Sequence, residues 1–226
     1  TDITFTKTPI AKILDADYIT TGTFISAFVP MDGFLFYTTD DGNLRNSDLN
    51  TVTAYTASSY LAVQMSPDQP VGVAVQNNAV VAFGLGSKEV FQNAGLASGS
   101  PLQRVASAFQ RIGCLDQRSM TQIEDDIYFV STPFEGDIGV YLMRNLNAVK
   151  ISTPALDRII GTVSGSGAIY ASSFKLGGYN YASFVLSSAA DGTSILLQES
   201  GDTILLETGD DILLEDSPAQ TSSYIR

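Results

Sequence analysis

The sequence predicts an all-β fold, and three observations carry that reading. Apolar residues alternate with small or polar ones in short runs, as at Val71, Val73 and Val75, where a helix would space them three and four apart. The runs are separated by residues that tolerate left-handed backbone: Met31-Asp32-Gly33, Asn77-Asn78, Asp125-Asp126 and Gly165-Ser166-Gly167. Those turns recur. Asp32, Asn77, Asp125 and Ser166 stand 45, 48 and 41 residues apart. A period of roughly 40 to 50 residues with several short strands inside each unit is the signature of propeller blades. The expected fold is a β-propeller-like array of three- to four-stranded antiparallel blades, about four of them within residues 1–190. A short, acidic, Leu-rich β-hairpin repeat at 191–217 and a tail segment at 218–226 follow.

Taken in order, residues 1–30 read as strands with polar breaks. Ile3 and Phe5 alternate, Ile13-Leu14 runs into an acidic break at 15–17, and 24–29 is a further apolar run that could complete a blade with later sequence. Met31-Asp32-Gly33 turns into a strand at 34–37, and Asp40-Asp41-Gly42-Asn43 turns into another at 44–49. Residues 51–70 are rich in Thr, Ala, Ser and Pro, and Pro67 and Pro70 interrupt any strand, so a connection between blades is expected there. The stretch 71–95 is strand, turn, strand, turn, strand: Asn77-Asn78 makes a hairpin, and Gly84 and Gly86 turn the chain into 88–91.

Residues 100–113 fit two descriptions. Ser100 could cap a short helix with Pro101 at its first position, Leu102, Val105 and Phe109 on one face and Gly113 at its end; strand and loop is the other reading. Arg104, Arg111 and Arg118 make this the most basic part of the chain, read as a solvated or intersubunit salt-bridge surface before a DNA contact. The strand grammar resumes at 127–130 and 139–143 around the Glu135-Gly136-Asp137 turn, then at 168–174 and 179–186 around Gly177-Gly178. Residues 191–217 carry a different repeat, SILLQESGD, TILLETGD, DILLEDSP, in which each Ile-Leu-Leu strand ends in an acidic turn with Gly201 or Gly209. Units of about eight or nine residues are too short for blades, and a hairpin that small needs a partner to bury against.

Composition narrows the functional classes. Apolar residues make up 44% of the 226, enough to bury a core, and ten Tyr, twelve Phe and 19 Gly suit strands and turns. His and Trp are absent, which removes Ser-His-Asp and Cys-His nucleophilic systems and most zinc sites. Cys114 is the only cysteine, so no intrachain disulfide can form; a buried structural thiol and assembly in a reducing cytosol are expected. Neither a secretory signal nor an apolar run long enough to span a membrane stands in the sequence. Net charge is −12, with Asp191, Glu199, Asp202, Glu207, Asp210, Asp211, Glu215 and Asp216 unrelieved before Arg226. That argues against DNA held through its phosphates, which needs Lys and Arg, although it is compatible with DNA that passes without being retained.

Candidate chemistry fails on spacing. Gly84-Leu85-Gly86-Ser87-Lys88 has glycines and a lysine but not the G-x-x-x-x-G-K-[ST] pattern of a phosphate loop, so a tight turn is expected. Glu124, Asp125, Asp126, Glu135 and Asp137 cluster in sequence, and two carboxylates about 5 to 10 Å apart could cleave a glycoside. They sit at hairpin tips, where acids serve turn geometry, and no Trp is present to stack on a sugar. The acidic turns at 199–202 and 207–211 group oxygen ligands with glycine, yet match neither an EF-hand nor the nonapeptide calcium repeat. No catalytic, cofactor-binding or metal-binding residue is therefore expected.

Five motifs in order carry a resemblance: Ser47-Asp48-Leu49-Asn50; Phe83-Gly84 with Ser87-Lys88-Glu89-Val90-Phe91-Gln92-Asn93-Ala94-Gly95; Ser100-Pro101-Leu102-Gln103-Arg104-Val105; Gly113-Cys114; and Lys150-Ile151-Ser152-Thr153-Pro154-Ala155. Across about residues 34–160 the chain resembles the tail hub, or nozzle, of short-tailed phages, a family also called packaged-DNA stabilisation protein. The resemblance implies a propeller-bearing structural protein of the virion, assembled in the host cytoplasm as a six-fold homo-oligomeric ring below portal and adaptor proteins. Tail fibres or spikes would be neighbours, and double-stranded DNA would pass through without sequence-specific binding. It also favours strand and loop at 100–113. Within the motifs, Gly33, Phe83, Gly84, Gly95, Gly113 and Pro154 are expected to be turn or core positions. Four blade-like units are fewer than the family fold needs, so the chain is expected to be part of a longer protein or to rely on neighbours. The alternative function is a ligand- or glycan-binding propeller, and behind it a glycan-cleaving one.

Overall fold

The structure, a computed structural model, describes residues 15–20, 22–131, 138–164, 168–187 and 194–195. Four antiparallel sheets follow one another along the chain, each a meander in which consecutive strands are neighbours. The first contains β1 (Val29–Met31), β2 (Phe34–Thr38), β3 (Asn43–Ser47) and β4 (Tyr55–Ala62). The second contains β5 (Pro70–Gln76), β6 (Ala79–Gly84), β7 (Lys88–Asn93) and β8 (Leu102–Arg104). The third contains β9 (Met120–Ile123), β10 (Asp126–Ser131), β11 (Gly139–Arg144) and β12 (Asn147–Lys150). The fourth contains β13 (Ala168–Leu176), β14 (Tyr179–Ser187) and the two-residue β15 (Ser194–Ile195).

The predicted turns mark equivalent places in the first three sheets, each joining first strand to second. Asp32, Asn77, Asn78 and Glu124 all take positive φ there, between 49° and 56°. Ser166, the fourth predicted turn, lies outside the described residues. In the fourth sheet Gly177-Gly178 joins first strand to second, with φ of 58° and 88°. The interval lengthens because a helix, α2 (Pro154–Ser164), is inserted between β12 and β13. Pro154 opens it, and Leu156, Ile159 and Ile160 fall on one face.

Three apolar clusters fill three seams. Phe36, Leu44, Val80 and Phe91 pack the first sheet on the second. Phe83, Val90, Ile127, Phe129 and Met143 pack the second on the third. Leu156 and Ile160 of α2 join Val130, Val140, Ile169, Phe184 and Leu186 between the third and the fourth. The outward faces of the array differ. On the first sheet Tyr37 and Tyr55 are covered by Tyr18 of α1 (Ala16–Thr20), with Phe24 and Phe28 stacked beside Tyr37. On the fourth sheet Tyr170, Phe174, Leu176 and Tyr179 are 46–70% exposed.

Other sequence expectations need correction. Asp15 does not break the chain: its carboxylate accepts the N–H groups of Asp17 and Tyr18 and caps α1. Within 51–70, read as a connection, residues 55–62 form β4; the Ser- and Thr-rich run suits an edge strand that is mostly solvated. Pro70 begins β5 and interrupts nothing, because a first residue needs no ladder donor. Residues 100–113 are strand β8, a single 3₁₀ turn at Ala106–Ala108 and loop. Of 24–29, Phe24 makes one bridge to Thr39 and β1 starts only at Val29. The repeat at 191–217 and the tail at 218–226 lie outside the described residues except Ser194–Ile195, as do Ile3, Phe5, Ile13 and Leu14. No helix among the described residues is long and apolar enough to cross a membrane.

Candidate functional site: the second sheet and its two seams

Polar side chains that would be candidates for chemistry lie buried on the second sheet and hold it to its neighbours. Gln76 ends β5 and is almost wholly enclosed. Its Oε1 accepts the N–H of Leu146 at 2.7 Å, while Nε2 donates to the carbonyls of Met143 (2.8 Å) and Asp125. Lys88 begins β7 with no exposed surface, and its Nζ donates to the carbonyls of Leu146 at 2.7 Å and Ala108 at 3.1 Å. Burial pushes its ammonium down to about 8. The two side chains thus take the N–H and the C=O of one residue, Leu146, in the β11–β12 turn. Leu146 has φ of 63°, a conformation costly for a bulky side chain, and the preceding Asn145 has φ of 52°. Gln110 extends the seam, donating to Asn147 Oδ1 at 2.7 Å and accepting from Ala148 N at 2.9 Å.

The opposite seam is held by Glu89 and Arg104. Glu89 is 1% exposed; its Oε1 accepts the Met65 N–H at 2.6 Å and its Oε2 accepts from Arg104 Nε at 2.7 Å. Arg104 also donates to the carbonyl of Ala62 at the end of β4 and lies 5.5 Å above the Phe91 ring. A buried carboxylate is tolerable here because both its oxygens are bonded and one bond is charge-assisted.

The turn at 84–88 does cradle an anion, but one the chain supplies itself. Asp68 accepts from Gly86 N at 2.8 Å and Ser87 Oγ at 2.9 Å. A Cβ on Gly84 would collide with that carboxylate, and one on Gly113 would collide with the Leu85 backbone. Gly33, at φ 81°, faces Asn50 Oδ1, only 2.6 Å from where a Cβ would stand. Gly95, at φ 65°, has open space around it, and Phe83 is buried 5.0 Å from the Phe129 ring.

Residues 7–171 match the family model described as bacteriophage P22 Gp10, beta-propeller, over more than two thirds of the chain. The chain belongs to that family. It is a phage structural protein with a β-propeller fold, and the family places it in the virion. No curated protein matches it.

In this phage protein the remaining candidate side chains among the described residues bond to one another and to the backbone. Arg104 is taken up by Glu89, and Arg118 pairs with Asp116 at 2.7 Å and lies 5.4 Å above Tyr170, so of the three arginines only Arg111 adds an exposed unpaired charge among the described residues. Asp126 is held below the usual carboxylate range by hydrogen bonds from Arg144, at 3.0 and 3.1 Å. Asp125 offers its backbone carbonyl to Gln76, and Glu124 accepts from Asn180 at 3.2 Å. Glu135 and Asp137 lie outside the described residues, as do the acidic turns at 199–202 and 207–211; among the described residues no acid, His or Cys cluster could hold a metal. Cys114 is fully buried, its thiol pushed up to about 12 by burial, and it donates to the Asp116 carbonyl at 3.1 Å. An open cleft of about 580 Å³ beside α2 contains Lys150, Ser152 and Asp157. Asp157 pairs with Lys150 at 2.6 Å and bonds Ser152, whose hydroxyl also accepts the Val140 N–H at 3.0 Å.

Sequence reasoning missed Gln76 and Leu146, because nothing marks Asn145-Leu146 as a left-handed pair. It placed Lys88, Glu89 and Arg104 in family motifs without their roles. Their signal was available: charged residues flanking Val90-Phe91 in a strand with no polar face.

Proposed function

We propose that this phage protein acts by assembly and not by catalysis, as part of the tail hub or nozzle that forms the DNA-exit conduit below portal and adaptor proteins. The observation that supports this most is the use of Gln76, Lys88, Glu89 and Arg104 as ties between sheets, since those groups serve the frame. The exposed face of Phe174, Leu176 and Tyr179 gives a neighbouring copy an apolar surface, and a contiguous patch of this kind marks an interaction site. The family resemblance supplies the six-fold ring and the contacts with portal, adaptor and fibres or spikes. DNA passes without being held, because a net charge of −12 and the internal pairing of Arg104 and Arg118 leave few cations for phosphates. Buried Cys114, free of any disulfide, suits assembly in the host cytoplasm.

The test is sedimentation of the full chain beside a Leu176→Glu, Tyr179→Glu variant. Ring-sized particles that fall to single chains in the variant, at unchanged melting temperature, are expected. One observation favours a second reading, glycan binding: Phe174 and Tyr181 stack at 5.2 Å on that exposed face. Saccharide binding abolished by Phe174→Ala, without ring formation, would support that reading instead. Polysaccharide turnover lost in Glu124→Gln or Asp126→Asn would contradict both.

A further inference from the structure

The outward N–H groups of β4 are taken by carboxylates from the helix laid over it. Ser47 stands opposite Tyr55, and the Asp48 N–H donates to the Ala54 carbonyl at 2.9 Å. Backbone groups alternate along a strand, so Ala54 faces β3 while Tyr55, and Ala57 two residues on, turn their N–H groups to the edge. A further strand would set carbonyls against these two donors. Carboxylates stand there instead: Asp15 Oδ2 accepts the Tyr55 N–H at 3.3 Å, and Asp17 Oδ2 accepts the Ala57 N–H at 3.0 Å. We propose that α1, with its N-cap Asp15, is a releasable cap on the β4 edge that keeps a second copy of this chain from adding its own β4 there.

Helix and cap depend on each other. Asp15 Oδ1 accepts the N–H groups of Asp17 and Tyr18 at 2.9 and 3.2 Å, so the carboxylate that closes the edge also starts the helix. Five residues are too few for a helix that is stable by itself, and α1 leans on the sheet through Tyr18, 5.0 Å from Tyr55 and 5.6 Å from Tyr37. It is folded on the sheet or not at all. The cover sits where β4 is held least by its own sheet, since the register with β3 slips between Tyr55 and Tyr60. An uncovered edge is a template for pairing, and an antiparallel edge is complementary to itself: each outward residue offers one donor and one acceptor, and a two-fold axis sets the same residues of two copies against each other. A second β4 is thus the strand that fits it. Asp15 and Asp17 withhold the donors and set two negative charges in its path.

The experiment compares the full chain with an Asp15→Ala, Asp17→Ala variant by amide hydrogen exchange and by sedimentation over a concentration series. In the unmodified chain the Tyr55 and Ala57 amides are expected to be protected and to open together with those of Asp17 and Tyr18, ahead of the rest of the first sheet. In the dilute variant they are expected to exchange about tenfold faster, each having lost a hydrogen bond. At higher concentration their protection returns, and species larger than those of the unmodified chain appear. Adding Ala57→Pro removes an outward donor and no bond to β3, so it is expected to abolish that extra association. Asp15→Asn with Asp17→Asn keeps both acceptor oxygens and the helix cap, and is expected to keep the edge closed. A variant that matches the unmodified chain in size at every concentration overturns the proposal. So does association that survives Ala57→Pro, which would place the contact on the aromatic face of Tyr37 and Tyr55. Tyr55 and Ala57 amides that open only with the whole sheet overturn it as well, a result that needs no variant to fold.

Discussion

Lys88 places an ammonium in a seam where its hydrogen bonds go to two carbonyls, and this has a consequence in pH. Its folded value near 8 lies below the unfolded 10.5, so between these the unfolded chain binds more protons and stability rises with pH. The gain, complete by pH 10.5, is up to about 3 kcal/mol. Tyr55, pushed up to about 12 by burial, and Tyr37, raised further by the same cause, act oppositely: their stabilisation is full below pH 10 and is lost above it. Urea denaturation of the wild type should therefore show a maximum near pH 10, whereas Lys88→Met should lose the rise and keep the fall. The glycines give a second residue-scale prediction. Gly113→Ala drives a methyl into the Leu85 backbone and should cost about 3 kcal/mol or more, while Gly95→Ala, with open space and only a positive φ to strain, should cost about 1. Equal losses in the two melts would show that the Gly113 crossing is not tight.

At the scale of elements, the seam between the second and third sheets depends on one strained turn held twice. Removing Gln76 orphans the Leu146 N–H, and removing Lys88 orphans its carbonyl. Gln76→Ala should cost about 2 to 3 kcal/mol, because a buried N–H and two carbonyls lose their partners. In a double-mutant cycle with Lys88→Met the losses should fail to add by about 1 kcal/mol, since either change frees the same turn. Additive losses would mean the two ties act separately. The sheets themselves were legible from the sequence: Asp32, Asn77 and Asp125 mark the same hairpin in three successive units, because turns favour Asp and Asn, although in the third it is the neighbouring Glu124 that takes the left-handed conformation. β4 was not legible, since a solvated Ser- and Thr-rich edge strand has the composition of a loop. Helix α2 was missed although Pro154 and the spacing of Leu156, Ile159 and Ile160 signal it; alternating strands on both sides masked the change of period. The inter-sheet ties were legible only in part. Lys88 and Glu89 stood in a predicted strand and a family motif, but their partners come from the neighbouring sheets, and only the meeting of three sheets buries them.

For the whole molecule, the seams describe a row of sheets with one end covered by Tyr18, Phe24 and Phe28 and the other end, at Phe174 and Tyr179, exposed. A propeller of typically four to eight blades has no free outer face once closed, and in the proposed assembly a neighbouring copy covers this end. In the proposed conduit the charge excess would keep a passing polyanion from being retained. The most direct test of assembly as the function is the native mass of the full chain over a concentration series, with electron micrographs of any large species. The account predicts a closed ring whose mass is a whole multiple of 24.1 kDa, six-fold by family resemblance. A strict monomer at high concentration would contradict it.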